Sequence, residues 1–250
     1  MDVSLLTTGG LFVLALVAGT VDAVAGGGGL LTVPGLFAAG LEPVSVFATN
    51  KVQGVFSPFS ATLHFWRQGK LSLRENALPA LAAFIGGLAG ALGLTHADPQ
   101  ALRNVAPYLL IAVALWVLFS PKLGDVERRA RMRADAYGLT LVPAIAFYDG
   151  FFGPGTGTFF ALSMVALRGR TLEQATVRAK LYNFASNFGA LSVFIFSGHI
   201  AWVYGAAMIV GMIIGGNIGA RLVLKHGTAL IRPLLVIVSI AMSVRLLLTR

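Results

Sequence analysis

The amino-acid sequence predicts an all-α polytopic membrane protein made of two inverted-topology repeats. Each repeat has about five helical elements, with broken or re-entrant helices at glycine-rich loops. Three observations predict this. First, of 250 residues, 56% are hydrophobic and only 12% charged, whereas a soluble domain carries about 25% charged residues. Second, the two halves of the chain match each other at a nearly constant offset. Third, the basic residues gather in short segments between apolar runs, the pattern that sets membrane orientation.

The same composition excludes other classes. The net charge is +9, but its clustering in loops argues for membrane orientation and against a nucleic-acid partner. The absence of cysteine removes disulfides, thiolate nucleophiles, iron–sulfur clusters and Cys-ligated zinc. His64, His96, His199 and His226 have no metal-ligand spacing, so neither a metal nor a cofactor is expected. An enzyme would need a nucleophile or metal held by convergent acids and histidines, and the few acids inside apolar runs do not supply one. A purely structural membrane protein has no need of duplicated broken helices.

Taken in order, the first apolar run covers about 5 to 18. Ala23-Val24-Ala25 imitates a signal-peptidase site, but Asp2 and the lack of Lys or Arg before the run contradict a secretory n-region, so a retained helix is expected. Further runs cover 29 to 39, 43 to 66, 71 to 95 and 101 to 120. After the break come 134 to 151, 157 to 167, 171 to 197, 200 to 224 and 229 to 249. The break, KLGDVERRARMR at 122–133, divides the chain into a first repeat at 1–120, a basic linker at 121–133 and a second repeat at 134–250. The run 43–66 has 24 residues, about 36 Å of helix, and is long enough to cross a hydrocarbon core of about 30 Å. The run 157–167 has 11 residues, about 16 Å, and reads as half of a broken hairpin.

The duplication is carried by uncommon residues. At an offset of 129, Gly40, Lys51, Ser57, Phe59 and Gly69 meet Gly169, Lys180, Ser186, Phe188 and Gly198. Gly86, Gly87, Gly90 and Arg103 meet Gly215, Gly216, Gly219 and Arg232. Earlier in each half the offset is 127, pairing Asp22, Gly26 and Gly28 with Asp149, Gly153 and Gly155. The loop around Arg67, Lys70 and Arg74 is basic where its counterpart at 197–199 is not, and Arg168 and Arg170 are basic where Gly40 to Glu42 is acidic. Equivalent loops are therefore expected on opposite faces. Placing the basic loops and linker in the cytoplasm puts 12 of the 19 Lys and Arg inside, and an odd number of elements per half inverts the second copy.

Irregular backbone at membrane depth is tolerated where protein or a water-filled cavity covers it. Asp22 to Gly29 and Asp149 to Gly157 therefore mark a cavity. Gly26, Gly27 and Gly28, with Gly153, Gly155 and Thr156, would offer helix N-terminal N–H groups to an anion; the competing role for these glycines is close helix crossing. Asn50, Gln53 and Ser57 form one helical stripe, and Thr176, Lys180, Asn183 and Asn187 another. Such stripes line a path or glue helices together. Lys51 and Lys180 are the candidate anion-holding cations, although Lys180 and Arg178 could instead snorkel to headgroups, as Arg103 and Arg232 are expected to do. Asp22 and Asp149 could relay protons, or cap backbone amides and pair with a lysine. Gly86-x-x-x-Gly90 and Gly211-x-x-x-Gly215-x-x-x-Gly219 read as close-packing seams.

VDAVAGGGGLLTVP at 21–34, ATNKVQ at 48–53 and YDGFFGPGTG at 148–157 together resemble the TauE/SafE sulfite exporter family, also called the toluenesulfonate uptake permeases, and its YfcA-like branch. The resemblance covers nearly the whole chain. It implies a bacterial inner-membrane secondary transporter with two repeats that exports small anions such as sulfite, sulfoacetate or other organosulfonates. An anion channel with the same site is the alternative within transport. The expected partners are a small anionic substrate and the lipid bilayer, with proton coupling through Asp22 or Asp149 left open, and no oligomeric state is implied.

Overall fold

The computed structural model of the chain describes residues 4–119 and 127–226, and among these all regular structure is helical. The first half contributes α1 (Leu5–Ala25), α2 (Gly29–Ala38), α3 (Pro43–Gly54), α4 (Phe56–Arg67), α5 (Leu73–Thr95) and α6 (Pro99–Phe119). The second begins with α7 (Ala134–Ala136), continues through a π-helical turn (Tyr137–Leu141) into α8 (Val142–Phe151), and goes on to α9 (Thr156–Arg168), α10 (Leu172–Phe194) and α11 (Trp202–His226). The expected element at 229–249, Arg232 and most of the linker's first half lie outside the described residues.

Segments 5–24, 73–95 and 202–222 are long and apolar enough to cross a membrane. On α5, Leu78, Leu81, Ile85 and Leu92 project outward at helical spacing, the arrangement of a lipid-facing stripe. Side-chain oxygens accept the Glu75 N–H at Ser72 and the Gln174 N–H at Thr171, so α5 and α10 begin with the S/T-x-x-E/Q pattern of capped helices.

Two expected boundaries are corrected. The first helix runs on to Ala25 rather than stopping near 18, because a left-handed Gly26 (φ 76°) ends it. The run 43–66 forms α3 and α4, which meet at Val55; its backbone stays right-handed helical (φ −68°, ψ −37°), so what is lost there is hydrogen bonding and not helical direction. Pro58 explains the break, since it has no N–H for the Gly54 carbonyl and its ring crowds that group. Its counterpart α10 is continuous for 23 residues. In the second half the irregularity falls instead on the π-helical turn just ahead of Pro143.

The halves interleave. The most extensive helix packing is α1 on α11, and α5 on both α8 and α10. Small residues make these approaches close. A Cβ on Gly86 or Gly90 would stand 2.4 or 2.0 Å from the carbonyl oxygens of Pro143 and Phe147. On Gly215 or Gly219 it would stand 2.1 or 2.4 Å from those of Leu16 and Thr20. No side chain fits there, so the seams expected from sequence are built as backbone-to-backbone contacts. Basic loops share one end of the bundle: Lys70 pairs with Glu173 at 3.4 Å, and the Arg128 and Arg131 amides bond the Gly169 and Leu167 carbonyls. The 197–201 loop lies against α3, where the Ala201 amide donates to Thr49 Oγ1.

Candidate functional site

The two glycine hairpins meet tip to tip. Gly26 and Gly153 both have positive φ, 76° and 97°, which only glycine adopts without strain. A Cβ on Gly26 would lie 2.4 Å from the Gly157 carbonyl carbon, and one on Gly153 would lie 2.6 Å from Lys51 Nζ. The glycines thus serve both close crossing and access for a lysine. Gly27 and Gly28 continue the first tip into α2, whose start is closed by the Leu30 amide donating to the Gly27 carbonyl. Gly155, φ 82°, precedes Thr156, whose hydroxyl donates to the Gly153 carbonyl at 2.6 Å. A cavity of about 30 Å³ opens between the tips, room for about one water.

Charged groups enter this region from both halves and cross over. Lys51 Nζ lies 2.7 Å from Asp149 Oδ1, with both side chains buried. Asp149 also accepts from the Ser186 hydroxyl and from Asn187 Nδ2 at 2.8 Å. In the mirror arrangement Lys180 Nζ lies 3.6 Å from Asp22 Oδ2 and donates to the Asp22 main-chain carbonyl. Asp22 further accepts from Ser57 Oγ at 2.9 Å and the Gly28 amide at 3.4 Å. Each carboxylate is therefore held by a serine of its own half and a lysine of the other. Charges this deep are tolerated only when paired.

Amide side chains complete the cavity. Asn50 Oδ1 receives the Thr32 hydroxyl at 2.6 Å and Gln53 Nε2 at 2.8 Å, while Asn183 and Asn187 bond each other at 2.8 Å. Gln53 Oε1 is buried without a hydrogen-bond partner among the described residues. Asp22, Gly26, Gly28, Asn50, Lys51, Gln53, Asp149, Gly153, Gly155, Asn183 and Asn187 all line the cavity. Lys180 and Thr156 stand behind the lining, joined to it through Asp22 and Gly153.

The snorkelling alternative fails for Lys180, which is 1% exposed, because α10 turns its Lys180 face inward to α1. Capping describes the acids only in part: Asp22 accepts one amide, whereas the contacts of Asp149 are all side chains. Ser57 and Ser186 hold the carboxylates and belong to the site; Ser57 stood in the polar stripe with Asn50 and Gln53, whereas for Ser186 the available signal was its pairing with Ser57 at offset 129. Arg178 lies outside this cavity, bonded to the Gln174 carbonyl at 3.2 Å.

Spans long enough to cross a bilayer, two broken hairpins and a buried, charged, amide-lined centre define a polytopic membrane transporter. The model of the sulfite exporter TauE/SafE family matches residues 11–246, and the chain belongs to that family. It is 45% identical over 245 residues to the probable membrane transporter protein YfcA of Escherichia coli K12, covering 98% of this chain and 91% of that one. It is 45% identical over 237 residues to the probable membrane transporter protein ORF9 of Sinorhizobium sp., covering 95% and 91%. A probable membrane transporter protein of Haemophilus influenzae is 39% identical over 246 residues, covering 98% and 96%.

Proposed function

We propose that the protein exports a small sulfur oxyanion or organosulfonate, such as sulfite or sulfoacetate, across the bacterial inner membrane by alternating access. The observation that carries this reading is the crossed pairing of Lys51 with Asp149 and Lys180 with Asp22 beside the glycine tips. A buried ammonium needs a negative partner. An anion can replace the aspartate as that partner, whereas a neutral solute cannot.

Replacement also supplies the coupling to motion. Each ion pair joins one half of the chain to the other, so an anion that takes a lysine loosens a contact between halves. A cavity of about 30 Å³ leaves little room for an oxyanion beside intact pairs, so this reading expects binding to part them. The freed aspartate can take a proton, which would link anion movement to a proton gradient. The gathering of Lys70, Arg128 and Arg131 at one end supports a cytoplasmic assignment for that end.

Proteoliposomes test this. Saturable uptake of labelled sulfite or sulfoacetate, with counterflow when unlabelled anion is loaded on the far side, is the expected result. Flux without counterflow would mean a channel. Failure of every sulfite, sulfonate and carboxylate tested, under any imposed gradient, would end the proposal.

A further inference from the structure

A second and larger cavity, of about 220 Å³, lies on the opposite face of α10. Arg178 and Tyr182, one turn apart on α10, line it, whereas Asn183 and Asn187 face the central cavity. At about 30 Å³ per water it holds roughly seven waters. Arg168 and Arg170 reach it from the end of α9, and the one carboxylate in its wall is Glu75 at the start of α5.

Three guanidiniums converge here against their mutual repulsion. Arg168 donates to the Met132 carbonyl, Arg178 to that of Gln174 at 3.2 Å, and Arg170 pairs with Glu127 at 3.5 Å. A guanidinium carries five N–H donors, so among the described residues these contacts leave donors over. The walls behind them are fixed and polar: the Tyr182 hydroxyl donates to Asn76 Oδ1 at 2.7 Å, and the Tyr137 hydroxyl bonds Ser163 at 2.9 Å. At offset 129 the three arginines correspond to Ala39, Leu41 and Thr49, so the cluster belongs to the second half alone.

We propose that this pocket is a second anion site, separate from the central one, that takes a tetrahedral phosphate-type oxyanion group in the forked geometry that arginine favours. The group could belong to a phospholipid headgroup or to a free phosphate or sulfate ion. Because its walls come from α5, α9 and α10, occupancy ties the two halves together at the basic end.

Thermal unfolding of the full chain in detergent, at constant ionic strength, tests the proposal with three probes: inorganic phosphate, sulfate and short-chain phosphatidylglycerol. A saturable rise in melting temperature is expected with at least one. Stabilisation by the lipid alone identifies a headgroup, and stabilisation by the inorganic ions identifies a free oxyanion. Arg178→Gln should weaken the apparent affinity about tenfold or more, the scale of a charge-assisted hydrogen bond. Glu75→Gln, at an exposed position, should strengthen it about two- to fivefold. The Lys51→Met/Asp149→Asn double variant should keep the shift, which separates this pocket from the central site whether or not transport is observed. No shift with any probe would overturn the proposal, as would the same apparent affinity in wild type and both pocket variants.

Discussion

The two halves carry the same charged groups but are interrupted in different places. In the first, α1 is continuous and the third element is divided at Val55; in the second, the first element carries a π-helical turn and α10 is continuous. The lysine, aspartate and serine of each half are equivalent, whereas the amides are not. Asn50 and Gln53 correspond to Ala179 and Tyr182, and Asn183 and Asn187 to Gly54 and Pro58. The result is a tight pair, Lys51 with Asp149 at 2.7 Å, and a looser one, Lys180 with Asp22 at 3.6 Å. Matching positions carry the charges, while the amide neighbours of the two pairs differ.

The largest expected effect breaks the tighter pair. Lys51→Met leaves Asp149 buried without its cation, and removing one partner of a buried pair costs about 3–5 kcal/mol. Lys180→Met should cost less, since Asp22 is more exposed than Asp149, at 7% against 1%, and its ion pair is longer. Rescue identifies the partners. Asp149→Asn should restore most of the stability lost in Lys51→Met, and Asp22→Asn should not; for Lys180→Met the assignment reverses. Denaturant unfolding in detergent reads all six proteins, and equal rescue by either asparagine would contradict crossed pairing.

A smaller difference separates the seams behind the two serines. A Cβ on Gly87 would sit 2.0 Å from the Ser186 carbonyl oxygen, while one on Gly216 would sit 3.0 Å from the Ser57 Cα. Gly87→Ala must push α5 and α10 apart, at about 1–3 kcal/mol. Gly216→Ala needs only a shift of a few tenths of an ångström and should cost under about 1 kcal/mol. Melting temperatures of the two variants decide this, and an equal loss in both would mean that the halves pack alike despite their different helix geometry.

Much of this was legible in the sequence, for physical reasons. Aspartate and lysine are rare in apolar runs and clustered glycines mark interruptions, so Asp22, Lys51, Gly26 and their counterparts stood out, and their offsets matched the two halves. What pairs with what was not legible, because offsets relate equivalent positions and not positions in contact. The burial of Lys180 depends on which face of α10 turns toward α1, and a helix carrying polar residues on more than one face does not declare that. The break at Val55 had a visible cause in Pro58, but the length of the apolar run argued for one continuous helix. Arg168, Arg170 and Arg178 were noted singly as orientation or headgroup residues; their convergence on one pocket is a tertiary fact.

The smallest expected effect on stability tests whether the interruption at Val55 matters. Pro58→Ala returns an N–H to the Gly54 carbonyl and removes the ring that crowds it, so α3 and α4 can join as α10 does. The recovered hydrogen bond is partly offset by the freer unfolded chain, leaving a net change of about 1 kcal/mol or less. The site should respond more strongly than the fold. Gly54 lies against the Asn187 side chain, where a Cβ would meet Oδ1 at 3.2 Å, and Ser57 just before the proline holds Asp22. Closing the interruption shifts both contacts, so transport should fall several-fold while the melting temperature barely changes. Wild-type transport by Pro58→Ala would show that the interruption is a passive difference between the halves.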